Sequence, residues 1–323
     1  MTAPLSIGIV GAGIMGERLL RAILDQPAGL VAVAGIWDPS DAALARVTAA
    51  LPSVRAMPDA TALIAACDCV YIASPPASHL GHARAALSAG KSVFCEKPLA
   101  VDVADARAFV AEAGARGAVN FPFASSPAVA ALRGWIAEGA VGPVTEVTIE
   151  IGFRTWPRHW QADAAAWLDA TAQGGFTREV VSHFLFLTRR LVGPLHGLAA
   201  SAAFPEPGRS ERAIEARLNA GDAPVTLGGG VGTTDKDDHN LWTLRGEHGA
   251  VRLRDWSIAE RRRPDGSWRP APDALPNEKA RPLALKRQIE GVVAMARGKP
   301  HHLATLREAL DVQEIVEAIL TGR

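Results

Sequence analysis

The chain of 323 residues carries 34 lysines and arginines against 34 aspartates and glutamates, with 48% hydrophobic and 21% charged residues. That length allows two domains with a large core, and the balanced charge excludes an overall field of the kind that draws nucleic acid or anionic membrane to a protein. A first strand within a few residues of Met1 leaves no room for a signal peptide and no apolar run reaches membrane-spanning length, so a cytoplasmic protein without nucleic-acid or membrane partners is expected.

Ser6 to Gly16 organises the N-terminal part. Apolar residues from Ile7 to Val10 read as a buried strand, Gly11-Ala12-Gly13-Ile14-Met15-Gly16 has Gly-x-Gly-x-x-Gly spacing, and Glu17 to Leu24 has helical periodicity. Gly11 permits the turn, Gly13 lets the backbone approach a pyrophosphate, and Gly16 allows close packing of helix on strand. The free N–H groups of the first helical turn then face the phosphates. A second strand, Leu30 to Trp37, ends in Asp38, about 20 residues beyond the glycines as a ribose-binding carboxylate requires. Such a carboxylate accepts from the ribose hydroxyls and repels a 2′-phosphate, which favours NAD over NADP. Asp38-Pro39-Ser40 also suits a turn.

The alternation of strand and helix continues. Ser40 to Leu51 reads as a helix, Val54 to Met57 as a short strand, and Asp59 as the cap of a helix to about Cys67. Cys69 to Ala73 is a strand ending in Ser74-Pro75-Pro76, followed by a helix through His79 and His82 that stops at Gly90. Ser92 to Cys95 is another strand, ending in Glu96-Lys97-Pro98. Asp102 caps a helix from Val103 to Ala113, and a last strand falls near Ala118 to Phe121. This pattern implies a parallel sheet with helices on both faces and ligands at the carboxyl ends of its strands, where Gly11, Asp38, Ser74 and Lys97 converge. Cys67, Cys69 and Cys95 lack zinc-ligand or Cys-x-x-Cys spacing and read as reduced, buried thiols; no metal site is expected.

From about residue 123 the pattern changes. Ser126 to Glu138 reads as a helix, Val144 to Phe153 as a long strand, and Gly175 to Leu191 as a helix. Strand-like segments follow at 197–203, 213–218, 225–231, 239–244 and 251–253, indicating a mostly antiparallel sheet. Two helices close the chain, Glu278 to Arg297 and Leu306 to Leu320, the second with a capping box of Thr305 and Glu308. The run Arg261 to Arg263 reads as a solvated face, and Arg263 to Pro276 as a Pro-rich tract.

Two segments bear chemistry. Lys97, held between Glu96 and Pro98, has an aim restricted by the proline, and its ammonium suits an alkoxide forming or collapsing beside a nicotinamide; pairing with Glu96 on the surface is the alternative. Glu179 and His183 are four apart on the expected helix, so both point from one face and suit proton transfer; a core histidine is the alternative. In the loop after the long strand, Trp156 and Trp160 offer flat faces for a sugar ring, while Arg158 and His159 suit hydroxyl or carboxylate groups; core or interface packing of the cluster is the equal alternative.

The glycine motif, Asp38, Ser74-Pro75-Pro76-Ala77-Ser78-His79, Glu96-Lys97-Pro98 and the series from Trp167-Leu168-Asp169 through Gly174-Gly175 to His183 resemble the Gfo/Idh/MocA family. The resemblance implies an α/β protein: an N-terminal Rossmann domain with a parallel sheet over 1–122, and a C-terminal α+β domain over 123–323 with a mostly antiparallel open sheet. That second domain would bind substrate and assemble homodimers or homotetramers. It also implies a nicotinamide cofactor and hydride transfer at a carbon of a sugar, cyclitol or related polyol, with the family's lysine on Lys97 and its histidine on His183. Glu179 stands where the family's aspartate is usual, so that either the substrate sits differently or the acid pairs elsewhere, with Arg178 a candidate. Gly11, Gly13, Ile14, Met15, Gly16, Asp38, Ser74, Pro75, His79, Glu96 and Lys97 would hold the cofactor, and Trp156, Arg158, Trp160 and Trp167 the substrate. Glycoside cleavage with tightly held NAD and a non-catalytic NAD-sensing role are the alternatives.

Overall fold

The computed structural model describes residues 3–322. In chain order the elements are β1 (Leu5–Val10), α1 (Ile14–Leu24), β2 (Val31–Trp37), α2 (Asp41–Ala50), α3 (Ala60–Ala65), β3 (Cys69–Ile72), α4 (Pro76–Ser88), β4 (Ser92–Cys95), α5 (Val103–Glu112) and β5 (Gly117–Val119). Then come α6 (Pro127–Ala137), β6 (Val144–Phe153), α7 (Ala165–Leu168), a π-helical turn (Thr177–Val181) and α8 (Ser182–Leu191). A run of strands follows: β7 (Leu195–Ala203), β8 (Ala213–Ala220), β9 (Ala223–Val231), β10 (Asp238–Gly246), β11 (Gly249–Arg254), β12 (Ile258–Arg262) and β13 (Trp268–Pro270). The chain closes with α9 (Asn277–Ala296), β14 (Ala304–Thr305) and α10 (Leu306–Thr321).

The chain divides into two compact units, 1–125 with 284–310, and 126–283 with 311–323. The first unit is built on a sheet of order β14-β5-β4-β3-β1-β2. Its pairs are parallel except β14 with β5. Its inner strands are mostly apolar because helices cover both faces: every residue of β3 and β4 is buried. Side-chain caps start the helices as the sequence implies, with Ser40, Asp59 and Asp102 each accepting from backbone N–H groups of the following turn. Gly90 stops the segment after α4 at a φ of +76°.

A single boundary near residue 122 does not divide the chain. Ile289, Val292, Val293 and Leu303, far along the sequence, lie in one core cluster with Ile7, Ile9, Tyr71 and Phe94. Periodicity marks these residues as helical and apolar but says nothing of which core they enter. The expected strand Val54 to Met57 is also reduced, to one bridge between Ile36 and Ala56. Pro52 and Pro58 bracket it, and neither has an N–H to extend a ladder.

The second unit is built on a sheet of order β13-β12-β11-β10-β6-β9-β8-β7, antiparallel except for β6 with β9. Two of its strands, β12 and β13, fall where the sequence suggests a solvated arginine face and a Pro-rich tract. Arg261 to Arg263 are indeed exposed. Across these strands Glu260 accepts from Arg252 Nε at 2.6 Å, and the Arg252 guanidinium lies 4.1 Å over the Trp268 ring.

Candidate active site

In the first unit, the loop after β1 is shaped for a phosphate. Gly11 has a φ of +104°, and a Cβ there would lie 2.6 to 2.7 Å from the backbone of Ala73 and Ser74. A Cβ on Gly16 would fall 1.9 Å from the Gly11 carbonyl oxygen, so helix and turn touch. At Gly13 nothing lies within 4 Å of that position. Gly13 is also the N-cap of α1 and supplies no side-chain cap. The loop is thus tight where it meets protein and open at the helix N-terminus, a cradle that fits a dinucleotide pyrophosphate. Ile14 and Met15 form the first helical turn beside it, Ile14 exposed and Met15 half-buried.

Asp38 closes the end of β2 on this loop. Its Oδ2 accepts from the Ala12 N–H at 2.8 Å, and its Oδ1 from the Ser40 N–H at 2.8 Å. Asp38 makes the turn that Asp38-Pro39-Ser40 suits, and each of its oxygens keeps a lone pair. Arg46 braces the same loop, donating to the Ala12 carbonyl at 2.6 Å and to Glu17 at 2.5 Å.

At the ends of β3 and β4, His79 is buried and lies 2.7 Å by Nε2 from the Ser74 carbonyl and 2.8 Å by Nδ1 from the Pro98 carbonyl. Burial draws its pKa down, and these two carbonyls draw it up. His79 therefore ties the Ser74 loop to the segment of Lys97, whose peptide bond to Pro98 is cis. Pro75 is exposed at the N-cap of α4, and the Ser74 hydroxyl meets that of Ser78 at 2.6 Å.

Behind Lys97 lies a buried network that the sequence did not announce. Glu96 Oε1 accepts from the Tyr71 hydroxyl at 2.5 Å and from Asn120 Nδ2 at 2.6 Å, and Gln288 of α9 donates to Asn120. Burial, and then the adjacent Glu96 carboxylate, push the Tyr71 phenol well up, so it stays a donor. Glu96 thus faces inward as an anchor, and Lys97, next in chain, is half-buried. One signal was present: Tyr71 is the single tyrosine of the chain, inside an apolar strand.

In the second unit, the expected α-helix from Gly175 is a π-turn leading into α8. The reason is local. The Ser182 N–H reaches back five residues to the Thr177 carbonyl, and the Arg178 carbonyl is taken by the Ser182 hydroxyl at 2.7 Å. At the start of the turn, Glu211 Oε1 accepts from Thr177 N and Oγ1 at 2.7 and 2.6 Å. Burial raises the Glu211 pKa. Arg178 does not serve Glu179: it is bidentate to Glu317 at 2.6 and 2.7 Å, with Nη1 on the Thr171 and Gly174 carbonyls. Glu179 is half-buried on the π-turn and His183 is buried in the first turn of α8. Inserted π-turns recur where side chains are re-aimed for function.

In the loop after β6, Trp156 and Arg158 take the packing alternative. Trp156 is buried against Phe153 and Phe176, its indole N–H on the Leu168 carbonyl at 3.2 Å, so it packs the core and offers no face to a sugar. Arg158 is buried too. It bonds Gln161 at 2.9 Å and Asp238 at 2.8 Å and lies 4.8 Å from the Trp160 ring, so its charge is already matched. Trp160 and Trp167 remain open, 42% and 41% exposed. Asp169 of the Trp-Leu-Asp series braces the loop, bound by Arg209, Ser210 and Arg212 at 2.8 to 2.9 Å. Among the described residues, no cluster of three histidine, cysteine or acidic side chains is arranged to hold a metal.

Residues 5–122 match the family model described as GFO_IDH_MocA, oxidoreductase family, NAD-binding Rossmann fold. Over those residues the chain is similar to the Gfo/Idh/MocA oxidoreductases. It is 31% identical over 194 residues to levoglucosan dehydrogenase of Pseudarthrobacter phenanthrenivorans, covering 56% of this chain and 47% of that one. With inositol 2-dehydrogenase of Cereibacter sphaeroides it shares 38% identity over 113 residues, 35% of this chain and 34% of that one. The matched segments thus span about half or less of those relatives. The likeness of fold extends further than the sequence match. An oxidoreductase from Agrobacterium radiobacter, solved with NAD+, L-tartaric acid and magnesium, superposes with a TM-score of 0.83 at 20% identity, covering 99% of this chain and 98% of that one.

Proposed function

We propose that this protein is an NAD-dependent dehydrogenase or reductase of a sugar, cyclitol or related polyol. The observation that carries the reading is the cradle of the first unit: a glycine turn closed against Ala73 and Ser74, open at Gly13, with a carboxylate at the end of β2. Gly11, Gly13, Ile14, Met15 and Gly16 would hold the pyrophosphate, Asp38 the ribose, and Ser74, Pro75, His79 and Glu96 would shape the segment nearest Lys97. Bound nicotinamide supplies the hydride donor or acceptor. Lys97 stabilises negative charge on the reacting oxygen, and His183 holds or delivers the proton, with Glu179 supporting it. Trp160 on the loop after β6 and Trp167 on α7, both exposed, offer ring faces to the substrate.

The open face of the second sheet, where Ala213, Glu215 and Arg217 of β8 alternate with buried Ile214, Ala216 and Leu218, is the proposed surface for a homodimer or homotetramer. Three free, buried cysteines suit a reducing, cytoplasmic setting. The test is a screen of inositols, pyranoses, sugar acids and alditols with NAD and with NADP. The reading predicts reduced nicotinamide with NAD and at least one of these polyols. Dinucleotide binding with no turnover across the panel would replace it with a sensing role.

A further inference from the structure

Between β11 and β12 the chain reverses through Asp255 and Trp256, with φ of +47° and +71°. Among the described residues these are the two non-glycine residues at positive φ. The Ser257 N–H donates to the Arg254 carbonyl across the reversal, and a tight turn with two such residues ordinarily takes Asn-Gly, because a side chain there crowds its own backbone. A tryptophan in that position is retained against strain, and strain of this kind gathers at functional sites. The surroundings enforce it. Buried Asn240 accepts from the Asp255 N–H through its carbonyl at 2.9 Å and from the Trp256 N–H through its side-chain oxygen at 2.8 Å.

The strained turn delivers the indole to a definite place. Its Nε1–H donates at 3.3 Å to Asp238 Oδ2, the oxygen that also accepts from Arg158. The ring lies 5.4 Å from Phe184 and 5.6 Å from the His183 imidazole, at 74° to the latter. Trp256 is half-buried, whereas His183 is buried, so the indole is the more open of the two rings.

We infer that Trp256 is a positioning and specificity-determining residue: it sets the angle of the His183 imidazole and presents an aromatic surface on which a cyclic polyol lies by its C–H face. The inference rests on the role given to His183 above. An aromatic surface selects rings over open chains, because a pyranose or cyclitol presents several C–H bonds to one side, and a flexible alditol must first be ordered to do so.

The test compares Trp256→Leu and Trp256→Phe with wild type on the best inositol or pyranose of the screen and on an alditol, with NAD. Trp256→Leu is expected to raise KM for the ring substrate by about tenfold, to lower kcat, and to lose the preference for ring over alditol, while the Kd for NAD stays within about twofold. Trp256→Phe should restore most of the preference. In histidine-labelled protein, the His183 ring signals should shift in Trp256→Leu. Unchanged KM and preference in Trp256→Leu, with turnover abolished by His183→Ala, would overturn the inference alone. Full turnover in His183→Ala would overturn the reading beneath it.

Discussion

Lys97 stands at the end of a strand whose preceding residue is locked inward by Tyr71 and Asn120, so its backbone has little freedom. Replacing it with methionine keeps the length of the side chain and removes the charge. Lys97→Met is therefore expected to lower kcat at least a hundredfold, about 2.7 kcal/mol of lost charge stabilisation, while NAD still binds. Calorimetry beside steady-state kinetics separates the two, and unchanged kcat would remove Lys97 from the chemistry. Glu211 offers a test by pH. Burial raises its pKa above the ordinary 4.5, so protonation favours the folded state; its contribution is complete below the unfolded value and lost as pH rises through the folded one. Glu211→Gln keeps an oxygen for Thr177, and its melting temperature should gain on wild type as pH rises from about 4 to 7; a constant gap would contradict the assignment. At this scale the sequence was informative where backbone geometry is written locally, as in the glycine turn and the turn at Asp38. It left Trp156 and Arg158 open between substrate and core, because the order of residues in a loop does not say which aromatic faces the core.

The turn from β1 into α1 separates two kinds of glycine. A methyl group on Gly16 collides with the Gly11 carbonyl, so Gly16→Ala should destabilise the protein by about 1–3 kcal/mol. At Gly13 the space is open, and Gly13→Ala should fold within about 1 kcal/mol of wild type yet bind NAD about tenfold more weakly. Equal losses of stability in both would contradict a cradle open at Gly13. The same contrast explains which elements could be read in advance. The capped helices and β6 were legible from local signals, with Thr305 and Glu308 at the expected capping box. The π-turn was not, because it depends on the Ser182 hydroxyl displacing a backbone bond, and β12 was not, because its buried Glu260 is balanced by arginines on a neighbouring strand. Nor did any motif mark Trp256, whose importance comes from a turn geometry that its residue type disfavours.

For the molecule as a whole, the last forty residues are shared between two cores. Ile289 is fully buried among residues of the first unit, although it follows the second in sequence. Ile289→Ala should cost about 2–5 kcal/mol, and hydrogen exchange should quicken in β1, β3 and β4 before β7 to β9. The reverse order would contradict the division into units. The central claim is that this cradle and its lysine serve hydride transfer at a polyol carbon. Its most direct test supplies the protein with NAD and carbon-deuterated inositols or pyranoses and follows the label by mass spectrometry. The account predicts deuterium on the recovered nicotinamide ring, with transfer lost in Lys97→Met. Bound NAD that stays free of label with every polyol offered would contradict it.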